Sequence, residues 1–259
     1  MPLTFLAENI EDPPLFSTQT EAIKAAADNG YRLPRGFTGG WLRFGSTTAP
    51  CDIFIAYTFT GEWLLSIEHN GVAREFPEST LEGPGAKTIV AQTLYELHQA
   101  LDRTYRLSIS LPTVPLVVFE RETFDLPRTT EAERLVVVRV GQEIFRKALM
   151  DYWNGTCPLT GITDPALLRA SHIVPWAECE TDSLRLDVYN GFLLSSLWDA
   201  AFDAGVITFS SEGLPIASTV LSANAFRALR LDESPVLRGI THAHNLMLRR
   251  HRAKHHFTA

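Results

Sequence analysis

Ala170-Ser171-His172-Ile173-Val174-Pro175-Trp176, then Asn190-Gly191, then Asp199 and Asp203, is the stretch on which the reading of this chain turns. A histidine, an asparagine and two carboxylates follow in that order within about thirty residues. Such a span supplies a proton acceptor, a group to orient it and oxygen ligands for a divalent cation, the parts required for metal-assisted phosphodiester hydrolysis. A neutral imidazole accepts a proton near neutral pH, so His172 is the candidate general base. Each residue also has a structural reading. A lone strand histidine often bonds backbone, Asn-Gly is a common turn dipeptide, and Ser196-x-x-Asp199 has the form of a capping box.

Working outward, Leu167–Ile173 reads as a short strand ended by Pro175 and Trp176, and Glu178–Tyr189 as a polar loop. Phe192–Leu194 reads as the returning strand and Ser195–Asp203 as a helix closed by Gly205. Asp199 and Asp203 are one helical turn apart and share a face. Val206–Phe209 and Leu214–Ala217 form a hairpin pattern, and closing helices are expected at Ala223–Leu231 and Thr241–Lys254.

The motif resembles the His-Asn-His (HNH) endonucleases, and most closely the bacterial branch in which aspartate replaces the last histidine. The resemblance is carried by Ser-His-Ile-x-Pro-Trp, Arg185, Asn190-Gly191 and Asp199-x-x-Phe202-Asp203-x-Gly205-x-Ile207. Gly141-Gln142-x-x-Phe145-Arg146-x-x-Leu149, Cys157-Pro158-Leu159-Thr160-Gly161, and the tail with His251-Arg252 and Phe257 extend it. It covers roughly Thr129 to the C-terminus. It implies a ββα-metal unit with His172 as general base and an Asn190 carbonyl that bonds the imidazole. Asp199 is then the last metal ligand, and the one-turn spacing of Asp203 on the same face makes it a candidate second. Mg²⁺ or Mn²⁺ suits such oxygen ligands, and Zn²⁺ or Ni²⁺ is the alternative. Many family members place Asp or His before the base as a further ligand. Ser171 stands there instead, and its neutral hydroxyl is a weak ligand.

Candidate nucleic-acid contacts are Arg146, Lys147, Arg169, Arg185 and Arg252, together with the polar loop Glu178–Tyr189. The tail from Arg249 to His256 is the densest basic cluster, read equally as a solvated face. Cys157 stands where some HNH proteins begin a paired-cysteine zinc site, but no Cys-x-x-Cys is present, so it reads as a small buried apolar residue.

The rest of the 259 residues divides by composition. Residues 1–127 hold 9 Lys+Arg against 16 Asp+Glu, and residues 128–259 hold 14 of each. A phosphate-binding surface needs cations, which places the DNA contact in the second half. The first half reads as an α+β module of residues 1–111 whose role is specificity, regulation or oligomerisation. Its elements are a helix at 17–29, a strand at Gly39–Gly45, a hairpin of Asp52–Phe59 with Trp63–Glu68, a turn at Asn70-Gly71 and a helix over Ala86–Arg106. Residues 112–129, with Pro112, Pro115 and Pro127, read as an extended connector to an HNH domain at 130–259 that opens with a helix from Thr130 to Trp153. The fold class is therefore α+β.

No apolar run approaches the roughly 18 residues of a membrane helix. Met1-Pro2-Leu3-Thr4 lacks the pattern of a signal peptide, and three scattered cysteines suit a reducing cytoplasm. The reading is a metal-dependent DNA endonuclease of restriction or defence. One such site cuts one strand, so double-strand cleavage calls for a homodimer or two encounters. The first module is a candidate binder of a ligand or protein. The rival reading is a non-catalytic binding or sensing protein that retains the fold.

Overall fold

The computed structural model describes residues 9–257, and Met1-Pro2-Leu3-Thr4 lies outside them. The chain divides into two compact units, Met1–Leu111 and Pro112–Ala259. Among the described residues no helix is long and apolar enough to cross a membrane.

The first unit is built on an antiparallel meander of five strands. These are β1 (Leu33–Thr38), β2 (Trp41–Gly45), β3 (Ile53–Tyr57), β4 (Trp63–Ile67) and β5 (Lys87–Ala91). Helices α1 (Phe16–Asp28) and α3 (Leu94–Ser110) pack on each other and on the sheet, and the short α2 (Asn70–Arg74) packs beside α3. Strand β4 is buried along its whole length, whereas the edge strand β1 is exposed throughout and carries Pro34 beside a bulge. Proline and bulges blunt an edge that would otherwise pair with another chain.

Two expectations for this unit need correction. The helix expected over Ala86–Arg106 is β5 followed by α3. Thr88, Ile89 and Val90 are β-branched and pair with Ser66, Leu65 and Leu64 of β4. Thr93 then caps α3 by accepting from Glu96 N. The Asn70-Gly71 turn is the start of α2, where the His69 ring accepts from Gly71 N and Val72 N.

The second unit opens with α4 (Thr113–Thr123), where an extended connector was expected. Pro112 is the N-cap and Pro115 lies in the first turn, where backbone N–H groups have no helical partner to lose. Helix α5 (Glu131–Tyr152) follows, its start fixed by a capping box between Thr130 and Glu133. Next come β6 (Leu168–His172), the four-residue α6 (Asp182–Arg185), β7 (Gly191–Ser195) and α7 (Ser196–Asp203). The hairpin β8 (Ile207–Phe209) and β9 (Pro215–Ala217), then α8 (Ala223–Ala228) and α9 (His242–Lys254), complete it.

Strands β6 and β7 pair antiparallel with His172 opposite Gly191, and α7 packs on both strands. Phe192 anchors the core beneath them. Its ring meets Phe202 and Phe209 edge-on at 5.9 and 6.0 Å and stacks on His244 at 5.4 Å. Ser195 is the N-cap of α7 without a side-chain bond, and Ser196 Oγ donates to Leu167 O. The capping-box reading of Ser196 and Asp199 therefore falls. Cys157 is 1% exposed in the same core.

Candidate active site

His172 ends β6, and its ring is held on three sides. Phe145 of α5 stacks on it at 3.8 Å and 18°, and Trp176 meets it edge-on at 5.7 Å. The ring nitrogen Nε2 lies 2.9 Å from Arg185 O. A carbonyl only accepts, so in the neutral ring Nε2 carries the hydrogen and Nδ1 is the basic nitrogen. Burial lowers the pKa of this imidazole, while the Arg185 carbonyl and the charge of Asp203 oppose that shift. The net direction keeps the ring neutral near pH 7.

Gly191 permits this stacking. A Cβ there would lie 2.5 Å from the Phe145 ring and 3.0 Å from Leu149. The Asn-Gly dipeptide thus has a packing reason beyond its turn propensity.

The expected bond from Asn190 to the histidine ring is absent. The fully buried Asn190 side chain accepts from Val174 N at 2.8 Å. Its amide donates to Val174 O at 3.2 Å and to Leu184 O at 3.1 Å, with Cys179 Sγ at 3.4 Å. Asn190 therefore staples both ends of the segment between β6 and β7. Leu184 directly precedes Arg185, whose carbonyl orients His172, so Asn190 acts on the imidazole through the loop. The signal that misleads is distance. An amide can serve a ring directly or serve the backbone that holds the ring, and order along the chain does not separate the two.

Arg185 is likewise a builder of this segment. Its guanidinium donates to Trp176 O, Cys179 O and Asp182 Oδ1 at 3.2, 2.5 and 2.8 Å. The polar loop expected over Glu178–Tyr189 is thus an ordered segment containing α6, with Thr181 and Asp187 as local caps. Asp187 is the most perturbed carboxylate there, pushed up to about 6 by burial against one opposing bond from Tyr189 N.

Of the other predicted phosphate contacts, Arg146 spends both terminal nitrogens on Leu168 O and Pro165 O, each at 2.9 Å. Arg252 donates to Phe209 O at 2.6 Å. Arg169 is exposed, with one nitrogen on Ala166 O and Leu168 O, and Lys147 is exposed on α5. Four of the five therefore hold backbone carbonyls, and of these Arg169 is the exposed one.

Asp199 is half-buried and Asp203 exposed, both on α7. Burial raises the pKa of Asp199, and the Asp203 charge adds to that rise. Ser171 and Arg169 oppose it. Ser171 is 3% exposed, and its buried hydroxyl, although close to the Asp199 carboxylate, makes no well-formed hydrogen bond. An orphaned buried hydroxyl beside a destabilised carboxylate is an environment that a cation with oxygen affinity would relieve. Among the described residues no group of three or more His, Cys, Asp or Glu side chains has the geometry to hold a metal by itself. Mg²⁺ characteristically takes one or two carboxylates, with water and phosphate oxygens completing its shell. Asp199 and Asp203 fit that pattern, and they do not fit a closed zinc site.

The tail supports α7 from below. His251 Nε2 lies 3.2 Å from Phe202 O, its Nδ1 lies 3.0 Å from Thr208 Oγ1, and its ring stacks on Phe202 at 4.1 Å. The Phe202 carbonyl fixes the hydrogen on Nε2, and Thr208 donates to Nδ1.

No curated protein matches the chain. Residues 157–210, a narrower span than the resemblance from Thr129 onward but one containing His172, Asn190, Asp199 and Asp203, match the family model described as HNH endonuclease, a match that points to nuclease activity in this half of the chain.

Proposed function

We propose that the chain is a metal-dependent DNA endonuclease whose chemistry resides in the second unit. The observation that carries this reading is the setting of His172. Phe145 and Trp176 hold its ring, Nε2 is bound to Arg185 O and Nδ1 is left basic, while burial lowers its pKa and the Asp203 charge on α7 opposes that shift. In this reading Nδ1 of His172 takes the proton of the attacking water. Phe145, Trp176 and the Arg185 carbonyl fix the ring's angle, and Asn190 fixes the segment that presents that carbonyl. General bases contribute typically about 10²–10⁴-fold.

Asp199 and Asp203 would hold a divalent cation, with Mg²⁺ or Mn²⁺ preferred. Bound there, the ion would supply Lewis-acid stabilisation of charge on the phosphodiester. Taken with the strand pair and α7, these roles amount to a ββα-metal unit. We infer restriction or phage defence as the setting, from the family resemblance alone. The first unit supplies specificity, control or dimer contacts.

The test is nicking of supercoiled plasmid. Cleavage should require added Mg²⁺ or Mn²⁺, cease with EDTA and fall with Asp199→Asn. Full activity in excess chelator would remove the metal from the reaction. An inert wild-type protein across divalent cations would favour the non-catalytic reading.

A further inference from the structure

With Arg146, Arg169, Arg185 and Arg252 bonded to backbone carbonyls, only Lys147 of the five cations singled out in the sequence is left without such a bond, and α9 offers further cations. Helix α9 buries His244, Leu248 and His251, at spacings of four and three, against the core. Arg250 and Lys254 are four residues apart and so share a neighbouring face, where both are exposed.

Three observations locate that face. Lys254 Nζ is ion-paired to Glu178, in the segment after His172. The charge of Arg250 acts on the thiol of Cys179 in the same segment. The His255 ring packs over Gly205 at the end of α7, where a Cβ would come within 1.9 Å of it, and it feels the charge of Asp203. The C-terminal turn of α9 thus flanks both the segment that orients His172 and the helix that carries Asp199 and Asp203.

We propose that the α9 face bearing Arg250 and Lys254 is a contact surface for the phosphate backbone of double-stranded DNA. The proposal rests on the nuclease reading and adds where the duplex is held. A cation in the last turn also complements the helix dipole, which is reason enough for Lys254. It is not reason enough for Arg250, which lies a turn earlier and whose side chain makes no ion pair or hydrogen bond among the described residues. The pair of Lys254 with Glu178 is half-exposed at both ends, and such pairs contribute little net stability. A phosphate oxygen can take the place of the Glu178 carboxylate, so Glu178 competes with the duplex for this cation.

The test uses the full chain, a fluorescent duplex and EDTA to prevent cleavage, with affinity measured across a KCl series. The wild type should bind with a steep salt dependence. Arg250→Ala and Lys254→Ala should each weaken binding severalfold for any sequence and reduce the salt slope by about one. Glu178→Gln removes no cation and should tighten binding severalfold, which a purely structural role for the pair would not produce. Thermal unfolding confirms that each variant is folded. Wild-type slopes in both cation variants, or unchanged or weaker binding by Glu178→Gln, would overturn the surface while a nicking-competent wild type preserves the nuclease reading. Absence of duplex binding by the wild type, or binding of RNA alone, would overturn the surface and the DNA substrate together.

Discussion

The two units treat buried polar groups in opposite ways. In the first, they are paired off. Asp52, 5% exposed, receives Arg35 and Arg43 at 3.1 and 2.5 Å, Ser66 meets Thr88 at 3.0 Å, and Tyr31 meets Ser108 at 3.2 Å. In the second, four buried side-chain atoms lack a hydrogen-bond partner among the described residues, Ser171 Oγ of β6 among them, and several perturbed groups lie close to it. The imidazole of His172 is pushed down, the carboxyls of Asp199 and Asp187 are pushed up, and the hydroxyl of Ser171 is orphaned. Folding alone favours the first pattern, because an unsatisfied buried polar group costs about 1–3 kcal/mol. The second pattern is expected where groups must later meet a proton, a cation or a substrate. The difference is the one expected if, as proposed, the second unit carries the chemistry and the first is architectural.

The sharpest way to break that comparison is His172→Ala. Plasmid nicking should fall by about 10²–10⁴-fold, while duplex binding changes little and the unfolding temperature falls only by the loss of the ring's packing on Phe145 and Trp176. Nicking within a factor of about three of wild type would remove the histidine from the reaction and take with it the main reason for setting the second unit apart.

Asn190→Ala sharpens the distinction between a residue that acts and one that positions. It strands Val174 N, Val174 O and Leu184 O. The expected cost is about 3 kcal/mol of stability, toward the low end for several unsatisfied groups, since the loop can relax. Hydrogen exchange should rise across residues 174–190 while the first unit is unaffected. The nicking rate should fall through misplacement of the Arg185 carbonyl. Unchanged exchange in that segment together with full activity would show that the staple is dispensable.

The hairpin and α7 are legible in the sequence because their signals are local. A β-branched and apolar run, an Asn-Gly and a helix ended by glycine each declare themselves within a few residues. The candidate groups His172, Asn190, Asp199 and Asp203 are legible for the same reason. What holds them is not. That Phe145 stacks on His172 depends on α5 crossing β7 at Gly191, a contact between residues 46 positions apart. Arginines near a motif read as phosphate ligands because charge is visible in sequence, whereas the carbonyls that Arg146, Arg185 and Arg252 satisfy are not. In the first unit, periodicity misleads at Ile89 and Val90. Their spacing to Leu94 and Leu97 fits a helix, yet both are β-branched and pair with Leu65 and Leu64 of β4, and the helix starts only at Leu94.

Lowered pH offers a milder perturbation that should also separate the units. Burial pushes His251 down to about 4 and His244 down to about 3. For a histidine depressed in the fold, the unfolded chain protonates first. Stability is therefore full above the ordinary value of 6.5 and drains away as pH falls toward 4. For His251 the full loss is of the order of 3 kcal/mol. Asp187 works the other way, since its raised carboxyl favours the fold as pH falls through about 6. The two imidazoles outweigh it. Peptides from α7 and α9 should exchange amide hydrogens faster at pH 5 than at pH 7, after correction for intrinsic rates. Equal protection at both values would mean that neither ring is held neutral by the fold.

The smallest effect on activity is expected from the first unit. Asp52→Asn keeps the shape of the side chain and removes the charge that two arginines share. Hydrogen bonds to charged groups are worth about 1.5–3 kcal/mol when buried. Both arginines are nearly half-exposed and remain hydrated in the variant, so the loss should fall at or below the lower end of that range. It should appear as a reduced unfolding free energy and as faster exchange in β2 and β3, which Arg43 and Asp52 adjoin. The nicking rate on plasmid should match wild type at a temperature where both proteins are folded, because none of the groups proposed for the reaction lies in this unit. A tenfold fall in nicking under those conditions would mean that the well-paired unit contributes directly to the chemistry, and the division between an architectural and a reactive half would have to be abandoned.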